Sequence, residues 1–124
     1  MRELIGAPYA LPCDPPHTFD CWQLVVHARE TIGLPTPHGP VAVEDRSLAD
    51  KEYFAHPDPK VWTPIGRPSD GCVVAFGNPA SHVGVYIDGR VLHAAHKTGV
   101  SLHALEAMER FFGSPRYWEV KRDV

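Results

Sequence analysis

Apolar residues recur at helical spacing in one early segment of the chain, which predicts a helix over Cys21–Ile32. Asp20 is suited to cap this helix, and Gln23 completes a capping-box pattern three residues later. Gly33 and Pro35 would end it. The stripe predicted to be buried comprises Cys21, Leu24, Val25, Ala28 and Ile32, and another face carries Gln23, His27 and Glu30.

From residue 71 onward the pattern changes to short runs that are rich in β-branched and aromatic residues, which predicts strands. These runs are GCVVAF at 71–76, SHVGVYI at 81–87, RVLHAA at 90–95, GVSLH at 99–103 and a last strand at 116–121. A short helix is predicted near 105–112, and another around 47–54 within the proline-rich segment 34–69. One helix followed by an antiparallel meander predicts an α+β fold, here in a single domain spanning 1–124.

Asp88 and Gly89 predict a two-residue hairpin turn, which fixes the register of the strands on either side. In that register His82 and His93 share one face of the sheet as diagonal neighbours, within reach of each other. His96 falls on the opposite face. We therefore expect His93, and not His96, to contact His82, although a slip of one residue would reverse the faces.

Cys21 is the candidate nucleophile, because a cysteine in the first turn of a helix has its thiolate stabilised by the helix dipole and unpaired N–H groups. A thiol hydrolase also needs a base and a group that orients the base, for which His82 and His93 are candidates. The odd number of cysteines argues against a disulfide framework. Cys72 is expected to be buried, and Cys13 is expected to be a loop thiol without a partner.

Three segments, IGAPY at 5–9, FDCWQLV at 19–25 and SHVGVYIDGRVLHA at 81–94, occur in an order that resembles the NlpC/P60 cysteine peptidases. Members of this family cleave peptide bonds in the stem peptides of bacterial peptidoglycan. The resemblance implies a papain-like fold in which the helix that carries the nucleophile packs on an antiparallel sheet. It also implies Cys21 as nucleophile, His82 as base, His93 as the orienting residue and Tyr9 as part of the substrate site.

Two details modify this resemblance. Trp22 and Gln23 stand where the family has a small residue and a glycine, so Trp22 is expected to alter the cleft wall that binds substrate. FDCW, followed by LP at 34–35, resembles the form found in bacteriophage tail-assembly proteins. The favoured function is cleavage of a stem-peptide amide, between D-glutamate and the diamino acid, by part of a phage tail or phage-like particle. The alternatives are a tail-assembly component with little activity, and an amidase or acyltransferase with the same Cys-His machinery.

Composition and charge exclude other classes of function. The formal net charge is -3 and no block of basic residues is present, which argues against nucleic acid as a partner. No apolar stretch suits a signal peptide or a membrane span. Together with the resemblance of FDCW to tail-assembly forms, this implies a protein that is cytoplasmic until assembly, with phage tail proteins as further partners. No CxxC or HExxH spacing is present, so neither a metal nor another cofactor is expected. The histidines expected at the surface or in loops are His17, His27, His38, His56, His96 and His103.

Overall fold

The computed structural model describes residues 2–10, 13–34, 36, 58–77 and 81–121. Within these residues, two α-helices, six strands and one 3-10 helix form in the order 3-10 helix (Arg2–Leu4), α1 (Cys21–Thr31), β1 (Trp62–Ile65), β2 (Val73–Phe76), β3 (His82–Ile87), β4 (Arg90–Ala95), β5 (Gly99–Ala104), α2 (Leu105–Phe112) and β6 (Pro115–Val120). The helix predicted around 47–54, as well as His38 and His56, lies outside the described residues.

Helix α1 begins where the sequence predicts, because Asp20 caps it. The backbone N–H of Gln23 donates a hydrogen bond to Oδ1 of Asp20 at 2.7 Å, which satisfies one of the donors that a helix start leaves unpaired. The helix ends at Thr31, one residue before the predicted end, and Ile32 is its C-cap. The predicted cap and extent of α1 are therefore confirmed to within one residue.

The buried surface of α1 differs from the predicted stripe. Ile32 is 43% exposed, whereas Gln23 and Arg29 are buried. The Arg29 guanidinium can be buried because each of its three nitrogens donates a hydrogen bond: to Thr36 Oγ1 at 2.8 Å, to the carbonyl of Gly71, and to a Glu119 carboxylate oxygen at 2.7 Å. Two of these partners, Gly71 and Glu119, come from distant parts of the chain, so no local pattern indicates that this face is covered.

The six strands form one antiparallel sheet in the order β1-β6-β2-β3-β4-β5. The predicted meander is confirmed for β2 to β5, and the last strand, β6, inserts between β1 and β2. Strand β1 was not predicted because it contains Pro64, which cannot donate a backbone hydrogen bond. Its place at the edge of the sheet explains why proline is tolerated there.

The two faces of the sheet pack against different helices. On the first face, Val83, Val85 and Leu92 join the apolar residues of α1 in one buried cluster. On the second face, Phe76 and Val91 pack with Met108 of α2 in a second buried cluster. The helix α1 also contacts β3 and β4 directly. A sheet covered by one helix on each side confirms the predicted α+β fold.

Gly84 lies in β3 where the chain has no room for a side chain. A Cβ atom there would lie 2.5 Å from Val91 Cγ1, 2.8 Å from the carbonyl oxygen of Leu92 and 3.2 Å from His93 Cβ. Since the Leu92 contact is with backbone, the strand itself would have to shift. We expect Gly84→Ala to lower the free energy of unfolding by about 1–3 kcal/mol in urea denaturation.

Gly66→Ala is the matched control, because a Cβ atom at Gly66 would meet nothing within 4 Å. Equal midpoints for the two variants would contradict the close approach described for Gly84.

Candidate active site

His82 and His93 meet across the hairpin as the sequence predicts. The observed register pairs Ile87 with Arg90 and Val85 with Leu92, which confirms the two-residue turn at 88–89. The Nε2 atom of His82 lies 2.8 Å from Nδ1 of His93, and the two rings are nearly perpendicular. The predicted contact between these two histidines is therefore confirmed.

The hydrogen bonds continue to His103, which was expected at the surface or in a loop and is indeed exposed. The Nε2 atom of His93 lies 2.9 Å from Nδ1 of His103, and Ser101 Oγ lies 3.3 Å from each of these two atoms. The pairing of β4 with β5 explains this contact, because Val91 faces His103 and His93 faces Ser101. This register makes His103 a diagonal neighbour of His93, but residues 96–98 form no two-residue turn that would fix it from the sequence.

Burial keeps the two inner imidazoles in the neutral form. His82 and His93 are 9% and 2% exposed, and the Phe112 ring of α2 stacks on His82 with 4.2 Å between centroids. Desolvation lowers the pKa of His82 to about 4. Desolvation, together with the neighbouring His82 and His103, lowers the pKa of His93 to about 3. Both rings therefore carry a single N–H at neutral pH.

These lowered pKa values predict that the fold loses stability in mild acid. In the unfolded chain both imidazoles become protonated as the pH falls below the ordinary histidine pKa of 6.5. In the folded protein His82 and His93 become protonated only near pH 4 and pH 3. The contribution of these two histidines to the free energy of unfolding should therefore be complete above pH 6.5. The free energy of unfolding should fall by roughly 3 kcal/mol between pH 6 and 4.5.

Urea titrations across this range measure the loss. His93→Gln should remove about half of the pH dependence, whereas His17→Gln, at an exposed position, should keep all of it. A parent protein whose stability is flat between pH 6 and 4.5 would contradict the neutral burial of the pair.

Cys21 is the first residue of α1, and its half-buried side chain packs against the cluster on the α1 face. His82 and His93 lie on the opposite, α2 face, where His82 is the first residue of its strand and so stands at the end of the sheet. The structure thus brings the two histidines together and places Cys21 at the start of the helix that packs on their strands.

The other two cysteines differ from Cys21 in their surroundings. Cys72 is fully buried, as predicted, and desolvation raises its thiol pKa to about 11. Cys13 was expected to have no partner, but its Sγ atom lies 3.8 Å from Oδ2 of Asp20, the residue that caps α1. Cys21 alone among the three begins a helix.

Tyr9 and Trp22, the two residues predicted to bind substrate, lie in different environments. Half-buried Tyr9 forms a parallel bridge with Phe19, two residues before Cys21, and its ring meets that of exposed His96 edge-on at 5.7 Å. Trp22 is only 1% exposed and packs edge-on against Trp62. This burial corrects the prediction that the Trp22 side chain forms the cleft wall, because the indole has almost no surface to offer a substrate.

The described residues contain neither a metal-binding cluster nor a helix that could span a membrane. No group of three or more His, Cys, Asp or Glu side chains within them is arranged to hold a metal ion. None of the helices in the described part of the chain is long and apolar enough to cross a membrane.

Comparison with known proteins places the chain in a family. A probable endopeptidase of Mycobacterium tuberculosis is 35% identical over 92 residues, which are 73% of this chain and 20% of that protein. A probable endopeptidase of Corynebacterium glutamicum is 30% identical over 109 residues, 86% of this chain and 46% of that protein. The chain therefore spans less than half the length of these curated relatives.

A solved structure supports the same fold. The NlpC/p60 domain of the peptidoglycan hydrolase SagA matches with a TM-score of 0.62 and 18% identity, over 98% of this chain and 92% of that one. The model of the NlpC/P60 family matches residues 6–122, nearly the whole sequence. The resemblance seen in the three sequence motifs is confirmed: this chain belongs to the NlpC/P60 family.

Proposed function

We propose that this NlpC/P60 chain is a cysteine peptidase that hydrolyses an amide bond in peptidoglycan stem peptides. The observation that carries the proposal is the buried, neutral pair of His82 and His93, joined by a 2.8 Å hydrogen bond in strands against which the Cys21 helix packs. The relatives named probable endopeptidases and the fold shared with a peptidoglycan hydrolase domain support the choice of reaction and substrate.

In the proposed reaction, Cys21 passes its thiol proton to His82 and attacks the carbonyl carbon of the substrate. The proton goes to Nδ1 of His82, since Nε2 is occupied by the hydrogen bond to His93. Backbone N–H groups at the start of α1 stabilise the oxyanion, and the imidazolium then protonates the leaving amine. Water hydrolyses the resulting thioester, which restores the thiol. His93 orients the His82 ring and selects its tautomer throughout.

Within this substrate class we propose the bond between D-glutamate and the diamino acid, as the family resemblance implies. Tyr9 is proposed to bind the substrate, because its bridge with Phe19 brings the N-terminal segment alongside the residues that lead into Cys21. No cofactor takes part in this mechanism.

Mass spectrometry of defined peptidoglycan fragments tests the proposed function. After incubation with the protein, a fragment containing the D-glutamyl–diamino acid bond should be split into two products whose masses sum to that of the fragment plus one water. Cleavage at another amide would correct the bond, and acyl transfer to an added amine would favour the acyltransferase alternative. A fragment that stays intact under varied conditions would contradict the proposal and favour an assembly role.

We further propose that the protein acts as part of a phage tail or a phage-like particle, present in the cytoplasm until the particle assembles. The support is the sequence FDCW followed by LP at 34–35, which resembles tail-assembly forms. Peptide mass spectrometry of purified particles tests this location. Finding the protein in the periplasm alone, and not in particles, would contradict it.

A further inference from the structure

Three imidazoles form one continuous hydrogen-bonded chain that runs from the buried end of the site to the surface. His82 Nε2 meets His93 Nδ1 at 2.8 Å, and His93 Nε2 meets His103 Nδ1 at 2.9 Å. His82 and His93 are buried, whereas His103 is exposed on β5. The proposed reaction uses the first two histidines and leaves the third unexplained.

The hydrogen bonds that link the three imidazoles can point in only two directions, because a neutral imidazole has one N–H and one lone pair. Both ring nitrogens of His93 are engaged, so this ring donates on one side and accepts on the other. Burial lowers its pKa to about 3, so the doubly protonated form, which would donate on both sides, is excluded at neutral pH. The direction of the hydrogen bond between His93 and His103 therefore determines the direction of the hydrogen bond between His93 and His82.

Only one of the two directions suits catalysis. If His93 donates through Nε2 to His103, it accepts at Nδ1 from Nε2–H of His82, and Nδ1 of His82 keeps the lone pair that a general base needs. If His103 donates through Nδ1 to His93, then His93 donates through Nδ1 to Nε2 of His82. The single N–H of His82 then lies on Nδ1. A base in that second tautomer cannot take the thiol proton.

We propose that His103 is a positioning residue, which accepts a hydrogen bond from His93 at Nδ1 and so holds both His93 and His82 in the tautomers required for catalysis. This inference rests on the proposed function. Because His103 is exposed, its own N–H, on Nε2, can be hydrogen-bonded to water, so this tautomer leaves no buried donor unpaired. Ser101 cannot replace His103, since its hydroxyl lies farther away, at 3.3 Å, and can donate as readily as accept.

Nitrogen-15 NMR of the histidine rings tests this directly, with activity as a second measurement. In the parent protein at neutral pH, His93 should be protonated on Nε2 and not on Nδ1. In the His103→Ala variant, His93 should be a mixture of both tautomers or should be protonated on Nδ1. The variant should also have a kcat about tenfold lower with KM unchanged, a typical effect of removing a residue that hydrogen-bonds to a catalytic group. His103→Asn should restore both, because its amide oxygen can take the position of Nδ1.

His17→Ala, at an exposed position in the loop before α1, is the matched control and should change neither the His93 tautomer nor kcat. The inference would be overturned by a parent protein with His93 protonated on Nδ1, or by a His103→Ala variant with an unchanged His93 tautomer. A parent protein that cleaves no peptidoglycan fragment would contradict the proposed function instead, and the tautomer of the parent and the His103 variants would still decide the hydrogen-bond direction.

Discussion

Cys21→Ala should abolish hydrolysis of stem-peptide fragments, with a loss in kcat/KM of about 10³-fold or more, while the protein stays folded. The loss is large because the proposed reaction forms its acyl intermediate on the Cys21 thiol. The fold should persist because the side chain is only half-buried at the first position of α1, and the cap formed by Asp20 does not involve it. Rates of fragment cleavage, together with circular dichroism of the variant, measure both expectations.

The other two cysteines provide matched controls. Cys13→Ala should keep the activity, because the Cys13 thiol contacts the Asp20 oxygen that does not cap α1. Cys72→Ala should keep the activity at some cost in stability, because the Cys72 side chain is fully buried in the cluster beneath α2. Equal loss of activity in all three variants, each still folded, would remove the assignment of Cys21 as nucleophile.

His82→Ala should lower kcat/KM by about 10²–10⁴-fold, the usual contribution of a positioned general base. It should also slow the alkylation of Cys21 by iodoacetamide near neutral pH, because the thiolate loses the group that accepts its proton. Peptide mapping of the alkylated protein identifies which cysteine reacts and at what rate. This measurement needs no substrate, so it tests the coupling between Cys21 and His82 independently of which peptide bond is cleaved.

His17→Ala is the control for alkylation as well, and Cys21 should react in it at the parent rate. An unchanged rate in His82→Ala would show that the imidazole at the start of β3 does not act on the thiol at the start of α1. If iodoacetamide alkylates Cys13 fastest and leaves Cys21 unmodified, the assignment of Cys21 as nucleophile is wrong.

Features set by neighbouring residues could be predicted from the sequence. The cap of α1 depends on Asp20 and the helix start immediately after it. The contact between His82 and His93 depends on a two-residue turn, after which strand alternation determines every facing pair. Because each of these follows from a few adjacent residues, the candidate base and its partner could be identified before the fold was known.

Features set by distant contacts could not be predicted in the same way. Strand β1 contains Pro64 and is a strand only because β6 pairs with it at the edge of the sheet. Arg29 is buried because Thr36, Gly71 and Glu119 converge on its guanidinium. The contact between His93 and His103 depends on the register between β4 and β5, which no tight turn specifies. The contact between Trp22 and Trp62 likewise joins helix α1 to a residue within the proline-rich segment 34–69.

The most direct test of the central claim is mass spectrometry of the protein quenched in acid during turnover of a stem-peptide fragment. The account predicts an added mass equal to the acyl part of the fragment, bound as a thioester and mapped to the peptide that contains Cys21. His93→Ala should slow the appearance of this adduct, and Cys21→Ala should eliminate it. Turnover without any adduct on Cys21 under conditions that trap thioesters, or an adduct mapped to Cys13 or Cys72, would contradict the account.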